Sequence, residues 1–149
     1  MSSTGAIMIV DDSEAELALT MRALKKSGIK VNVTLAHNGT EALDLLHRNE
    51  DGETGRPNEL PGIVLLDLKM PGVDGMTVLR RIRADERTRC LPVIILSSSN
   101  ELSDVGACYQ IGANSYIRKS VDFADFTETM RVLRQYWDIN ELPSAPLGA

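Results

Sequence analysis

Short apolar runs alternate with amphipathic stretches along the whole of this 149-residue chain. The run "AIMIV" at 6–10 is continuous and short, which is typical of a strand buried on both faces, whereas "VNVTLA" at 31–36 alternates and predicts an edge strand with one wetter face. Between such runs, apolar residues recur at the three- and four-residue spacing of helices. The predicted strands are 6–10, 31–36, 62–67, 91–97 and 114–119. The predicted helices carry apolar residues at 17–24, 42–46, 76–84, 102–111 and 123–137.

Polar residues and glycines at the ends of these segments predict where the helices begin and end. Ser13 and Glu16 form an S-x-x-E capping box at the start of the first helix, and Thr40 is expected to cap the second. Gly28 and Gly112 stand where a helix ends on a left-handed residue. The aromatic and apolar stripe from Phe123 to Trp137 is expected to belong to the core.

Strands and helices alternate five times, which predicts an α/β protein with a doubly wound, five-stranded parallel sheet in a single domain. We expect the domain to span 6–137, with an extended loop at 49–61, a disordered segment at 1–5 and a tail at 138–149. In such sheets, functional residues collect at the carboxyl ends of the strands.

The composition excludes several classes of function. A net charge of −5 provides no basic field for nucleic acid, and the arginines between 80 and 89 are interpreted as a solvated helix face. Cys90 and Cys108 have no nearby histidine, so we predict neither a zinc site nor a disulfide framework and favour a reducing compartment. No segment has the length of a signal peptide or membrane span, so we expect a cytoplasmic protein.

Polar residues at the predicted strand ends are the candidates for chemistry. Asp11, Asp12 and Asp67 end the first and third strands, Ser97 ends the fourth, and Lys119 follows the fifth. Singly, each is more often a cap, a turn residue or a solvated side chain. Together at one sheet edge, the carboxylates repel one another unless a cation is present, and their oxygens suit Mg²⁺. An aspartate beside a metal, a hydroxyl and an ammonium is suited to accept a phosphoryl group.

The segments "VDD", "LLDLKMPGVDG", "PVIILSSS" and "GANSYIRK" resemble, in this order, the receiver domain of bacterial two-component response regulators, over roughly 6–137. The resemblance implies the flavodoxin-like, CheY-like fold. It implies that Asp67 accepts phosphate from a histidine kinase. It also implies that Asp12, Asp67 and the Lys69 backbone carbonyl ligate Mg²⁺ directly, whereas Asp11 contacts the metal through water. Ser97 and Lys119 would contact the phosphoryl group, and Ser97 and Tyr116 would form a conformational switch.

The 49–61 loop and the "QYWDINELP" ending are similar to the stand-alone response regulators of phytochrome-type kinases. This narrower resemblance implies a sensor kinase of the bacteriophytochrome kind as partner, while the resemblance to receiver domains in general implies a histidine phosphotransfer protein as a further partner. It also implies a homodimer formed through helix 4, strand 5 and helix 5. Output is then expected through protein–protein interaction, with self-phosphorylation and autodephosphorylation as the protein's only chemistry.

Two positions carry further expectations. Members of the family usually have Lys-Pro after strand 5, and the cis peptide bond between these two residues helps to aim the lysine. This chain has Lys119-Ser120 instead, and a cis peptide bond without proline costs about 2.5–4 kcal/mol. We therefore predict a trans or mixed bond and a Lys119 that shifts on phosphorylation. Lys69, two residues after Asp67, is expected to hinder the attacking water and to give a long-lived aspartyl phosphate.

Two alternatives remain at this point. A receiver-like scaffold that takes no phosphate is kept open by Ser120. A Mg²⁺-dependent aspartyl-phosphate hydrolase of the haloacid dehalogenase type needs an acid two residues after the nucleophile, where this chain has Lys69.

Overall fold

The computed structural model describes residues 6–28, 32–47, 60–98, 102–119 and 122–139. Its elements alternate in the predicted order: β1 (Ile7–Val10), α1 (Glu14–Ser27), β2 (Val33–Ala36), α2 (Gly39–His47), β3 (Ile63–Asp67), α3 (Gly75–Ala84), β4 (Val93–Ser97), α4 (Leu102–Ile111), β5 (Ser115–Arg118) and α5 (Phe123–Ile139). All strand pairs are parallel, and the order across the sheet is β2-β1-β3-β4-β5. The predicted doubly wound parallel sheet and the edge position of β2 are confirmed.

Helices cover both faces of the sheet, which explains the continuous apolar runs of the inner strands. One face packs against α2, α3 and α4 through alternate residues such as Val10, Leu66 and Ile95. The intervening residues, such as Ile9 and Leu65, pack against α1 and α5. Successive side chains of a strand point to opposite faces, so a strand covered on both sides must be apolar at every position.

Two of the predicted helix caps differ from those observed. Ser13 Oγ accepts the Glu16 N–H at 3.2 Å, as expected, but the reciprocal bond of a capping box is replaced: the Ser13 N–H donates to Asp11 Oδ1 at 3.0 Å. At α2, the cap is Asn38, whose Oδ1 accepts the Glu41 N–H at 2.7 Å, so the expectation for Thr40 is wrong. Thr40 lies inside the helix, because the helix begins one residue earlier, at Gly39.

The last two helices confirm most of their predicted apolar pattern. Gly112 ends α4 with a φ of 129°, but Leu102 at the start of that helix is 86% exposed. In α5, Phe126, Met130 and Leu133 are buried, which confirms the core stripe as far as 133. The Trp137 side chain and the expectations for 1–5, 48–59 and the chain after 139 fall outside the described residues.

The interpretation of the arginines between 80 and 89 as a solvated helix face is wrong for Arg83. Arg80 and Arg81 are exposed, but Arg83 is partly buried and donates hydrogen bonds to four acceptors around the amino ends of β4 and β5. Burial lowers the pKa of its guanidinium, although the nearby Cys90 opposes that shift.

No helix among the described residues is long and apolar enough to cross a membrane.

Candidate functional site

Asp67 is the last residue of β3 and is only 9% exposed. The start of α3 packs directly against this strand end, where the Gly75 N–H donates to Leu68 O at 3.0 Å. A Cβ atom at Gly75 would lie 2.3 Å from Asp67 O, so only glycine fits there. The close approach of β3 and α3 fixes the backbone from which the Asp67 carboxylate projects.

The carboxylates of Asp11 and Asp12 lie beside that of Asp67. Asp11 follows β1, and its N–H continues the sheet by donating to Ala36 O at 3.1 Å. One oxygen from each of the three aspartates lies within 4.8 Å of the others; Asp11 and Asp67 are buried and Asp12 is exposed. Oxygen ligands in such a group, open to water on one side, fit a hard divalent cation.

Lys119 brings a positive charge to this group from the residue after β5. Its Nζ lies 2.8 Å from Asp11 Oδ2 and 3.7 Å from Asp67 Oδ1, and it also contacts Glu16 Oε1. The Lys119 N–H donates to Ser97 O at 2.8 Å, which anchors the lysine backbone to the end of β4. The ammonium is thus held between α1 and the ends of β1 and β3.

Asp67 is surrounded by more negative charges than positive ones. The pKa of Asp67 is raised to about 6, mainly by burial; Lys119 opposes this rise, while Asp11, Glu16 and Asp12 contribute to it. Burial by itself lowers the pKa of Lys119, but its hydrogen bonds with Asp11 and Glu16 outweigh this effect, so the pKa is raised. An added cation would therefore stabilise the ionised Asp67.

Ser97 and Tyr116 lie on neighbouring strands but are placed differently. Ser97 is fully buried at the end of β4, where the β3–β4 register pairs Asp67 with Leu96. Tyr116 lies in β5 and packs, partly buried, against the α2–α4 side of the sheet. Its N–H donates to Tyr109 Oη at 3.2 Å, which connects β5 to α4.

Two further positions carried expectations, and the structure describes one of them, Lys69. Lys69 is in the turn after β3, and its side chain extends toward α4, with Nζ 3.3 Å from Asp104 Oδ2. The peptide bond between Lys119 and Ser120 involves a residue outside the described part of the chain, so the expectation for that bond is untested.

Glu16 is the site residue that sequence reasoning missed. It was assigned only a capping role, yet its carboxylate contacts the Lys119 ammonium. The available signal was its position in the first turn of α1, four residues after Asp12. The contact partner, 103 residues away, left no local trace in the sequence.

Comparison with known proteins agrees with this geometry. Residues 7–131 match the family model described as the response regulator receiver domain. The chain is 38% identical over 131 residues to the probable methanogenesis regulatory protein FilR2 of Methanothrix harundinacea, covering 88% of this chain and 82% of that protein.

Two response regulators are similar to this chain over nearly their whole length. Response regulator Rcp1 of Synechocystis is 31% identical, with 93% of each chain covered. The crystal structure of its Mn²⁺-bound form superposes with a TM-score of 0.81 at 28% identity, covering 94% of this chain and 99% of that one. The phosphorylated cyanobacterial phytochrome response regulator RcpA superposes with a TM-score of 0.83 at 31% identity, covering 95% and 100%.

Proposed function

The chain belongs to the response regulator receiver domains, which act in phosphorylation-based two-component signalling, and we propose that Asp67 is its phosphoryl acceptor. The observation that carries this proposal is the Asp67 carboxylate at the end of β3, which has two further aspartates and the Lys119 ammonium around it. With a pKa of about 6, it is mostly ionised at neutral pH and therefore available as a nucleophile.

The proposed reaction forms one bond and breaks one bond. An Asp67 oxygen attacks the phosphorus atom of a phosphohistidine or of a small acyl phosphate, and the bond from phosphorus to the donor atom breaks, so the donor leaves with the electron pair. Lys119 pairs with a phosphoryl oxygen of the resulting aspartyl phosphate, and the Ser97 hydroxyl donates to another. Positioning and charge neutralisation are what such a transfer requires.

Receiver domains bind a divalent metal, and the carboxylate oxygens of this site fit one. We propose Mg²⁺, held by Asp12, Asp67 and the Lys69 backbone carbonyl, with Asp11 acting through water. The metal would supply the positive charge that offsets the crowded carboxylates.

The test is the intact mass of the protein after incubation with acetyl phosphate and Mg²⁺. We expect a single phosphoryl adduct on the wild type and none on Asp67→Asn. Asp74→Asn is the matched control, because Asp74 is an exposed aspartate that caps α3 and asparagine caps equally well. An adduct on Asp67→Asn, or none on the wild type with Mg²⁺ bound, would contradict the proposal; the latter result would favour the scaffold that takes no phosphate.

The hydrolase alternative has less support. A second carboxylate two residues after the nucleophile would have to act as the general acid, and Lys69 occupies that position. We therefore propose that turnover is limited to slow autodephosphorylation. The cytoplasmic location expected from the sequence stays a prediction.

The partner of a receiver domain is in general a histidine kinase, and we propose a bacteriophytochrome, with a histidine phosphotransfer protein as a further partner. Similarity to RcpA supports this choice. Transfer of labelled phosphate from an autophosphorylated bacteriophytochrome to the wild type within seconds, but not to Asp67→Asn, is the expected result. Equal transfer from unrelated kinases would contradict this pairing.

We further propose that α4, β5 and α5 form a homodimer surface. The edge strand β5 lies between two helices that expose large apolar side chains: Tyr109 is 50% exposed, Val132 is 51% exposed and Tyr136 is 55% exposed. Sedimentation should show a dimer for the wild type and for Leu19→Asp on α1, and a monomer for Val132→Asp. A dimer that survives Val132→Asp would contradict this assignment of the surface.

A further inference from the structure

The contact between Glu16 and Lys119 joins the first turn of α1 to the residue that follows β5. The Glu16 side chain is 50% exposed, while the Lys119 side chain is 14% exposed. The ammonium has three N–H donors, and it faces Asp11 at 2.8 Å and Asp67 at 3.7 Å in addition to Glu16. The proposed phosphoryl acceptor is therefore the most distant of its carboxylate partners.

Glu16 differs from the aspartates of the site in its place in the fold. It belongs to a helix, and the bond from its N–H to Ser13 Oγ fixes its backbone in the first turn. Its carboxylate is not one of the three grouped oxygens that fit a metal ion. A cation bound by the aspartates would therefore leave Glu16 directed at the lysine.

We propose that Glu16 is a positioning residue that competes with the phosphoryl group for the Lys119 ammonium. The inference rests on phosphoryl binding at Asp67 and adds a resting state to that function. Without phosphate, Glu16 and Asp11 contact the ammonium more closely than Asp67, which lies 3.7 Å from it. A phosphoryl group on Asp67 adds negative charge beside Glu16, so the lysine must give up part of its contact with Glu16 to pair with the phosphoryl oxygens.

The test compares Glu16→Gln with Glu14→Gln for binding of beryllium trifluoride, a phosphoryl mimic, followed by fluorine NMR at saturating Mg²⁺. Both residues lie in the first turn of α1, so both variants remove one negative charge near the same helix terminus. Glu16→Gln should bind the mimic about fivefold more tightly, which corresponds to a surface-level charge interaction of about 1 kcal/mol. Glu14→Gln should stay within about twofold of the wild type.

A third variant distinguishes charge from packing. Glu16→Asp keeps the negative charge on a shorter side chain, so its affinity should lie between those of the wild type and Glu16→Gln. Circular dichroism and a separate Mg²⁺ titration of each variant establish that the fold and the metal site are retained.

Each outcome bears on the proposal. Equal changes in the two glutamine variants, or weaker binding by Glu16→Gln, would overturn competition by Glu16. If the wild type itself bound no mimic and formed no adduct on Asp67, the proposed function would fail, and this result is distinguishable because it appears before any variant is compared.

Discussion

The two ends of the sheet use charged side chains in opposite ways. At the amino end, the Arg83 guanidinium donates to Gly112 O at 2.9 Å, Arg89 O at 3.0 Å, Leu91 O at 2.8 Å and Asn114 Oδ1 at 3.0 Å. At the carboxyl end, Asp11, Glu16 and Asp67 share the Lys119 ammonium.

The difference shows where this fold is built for stability and where for chemistry. Arg83 connects α3 to the starts of β4 and β5 through uncharged acceptors, so its charge is satisfied without competition. Asp67 is left with a pKa of about 6 by burial and neighbouring acids. Charged groups without fully compensating partners are expected at functional sites, where reactivity is gained at a cost in stability.

Removing Arg83 tests the stable end and should have the largest effect. Arg83→Ala should lower the free energy of unfolding by about 3 kcal/mol, because it removes four hydrogen bonds and leaves the partly buried acceptors Gly112 O and Leu91 O without their charged donor. Urea denaturation measures the change, and Arg81→Ala, an exposed arginine of the same helix, should change stability by less than about 0.5 kcal/mol.

The comparison fails if both alanine variants lose the same stability. It also fails if Arg83→Ala abolishes Mg²⁺ binding while the protein remains folded, since the two ends would then not be separable.

At the carboxyl end, removing a charge should stabilise the protein. Above pH 6, the ionised Asp67 costs stability, because its pKa is raised by burial from 3.8 to about 6 in the folded chain. Asp67→Asn should therefore raise the free energy of unfolding by about 2 kcal/mol at pH 7.5 without metal. This gain should shrink as the pH falls from 6 toward 4, where the wild-type carboxyl group takes up its proton.

Thermal denaturation in EDTA at several pH values measures this difference between the two proteins. A gain that stays constant between pH 7.5 and pH 4.5 would assign it to packing and not to the Asp67 charge.

The fold and the strand-end residues could be predicted because both depend on local pattern. Continuous apolar runs indicated buried strands, and a parallel sheet places every strand end that precedes a helix on one edge. The sequence pattern therefore predicts correctly that Asp11, Asp12, Asp67 and Lys119 lie close together.

Side-chain pairing between distant elements could not be predicted in this way. The contact between Glu16 and Lys119 spans 103 residues, and the bond from Arg83 to Asn114 spans 31. From the sequence alone, Glu16 was interpreted as a capping residue and Arg83 as a solvated arginine. Tertiary geometry decided otherwise in each case, and no periodicity in the sequence records such geometry.

A bound metal ion should offset the excess of negative charge at the carboxyl end of the sheet. Asp12→Asn should weaken Mg²⁺ binding at least about tenfold, because it removes a carboxylate ligand and its charge. It should also abolish the rise in melting temperature that Mg²⁺ gives the wild type at pH 7.5. Calorimetric titration measures the affinity, and Asp44→Asn on the exposed side of α2 is the control. Unchanged affinity in Asp12→Asn would remove Asp12 from the proposed ligand set.

The smallest expected effect concerns Lys69, in the turn after β3 at the carboxyl end of the sheet. If this side chain hinders the water that attacks the aspartyl phosphate, Lys69→Ala should shorten the lifetime of the phosphoprotein about twofold, a change of about 0.4 kcal/mol in the barrier. Asp104→Asn removes the acid that lies 3.3 Å from the Lys69 ammonium and so weakens the pull of α4 on this side chain, and the lifetime should lengthen. Phosphate release after removal of acetyl phosphate measures both rates. Opposite changes in the two variants would show that the position of the lysine controls access of water, whereas changes of the same sign would show that the ion pair acts only by holding α4 against the turn after β3.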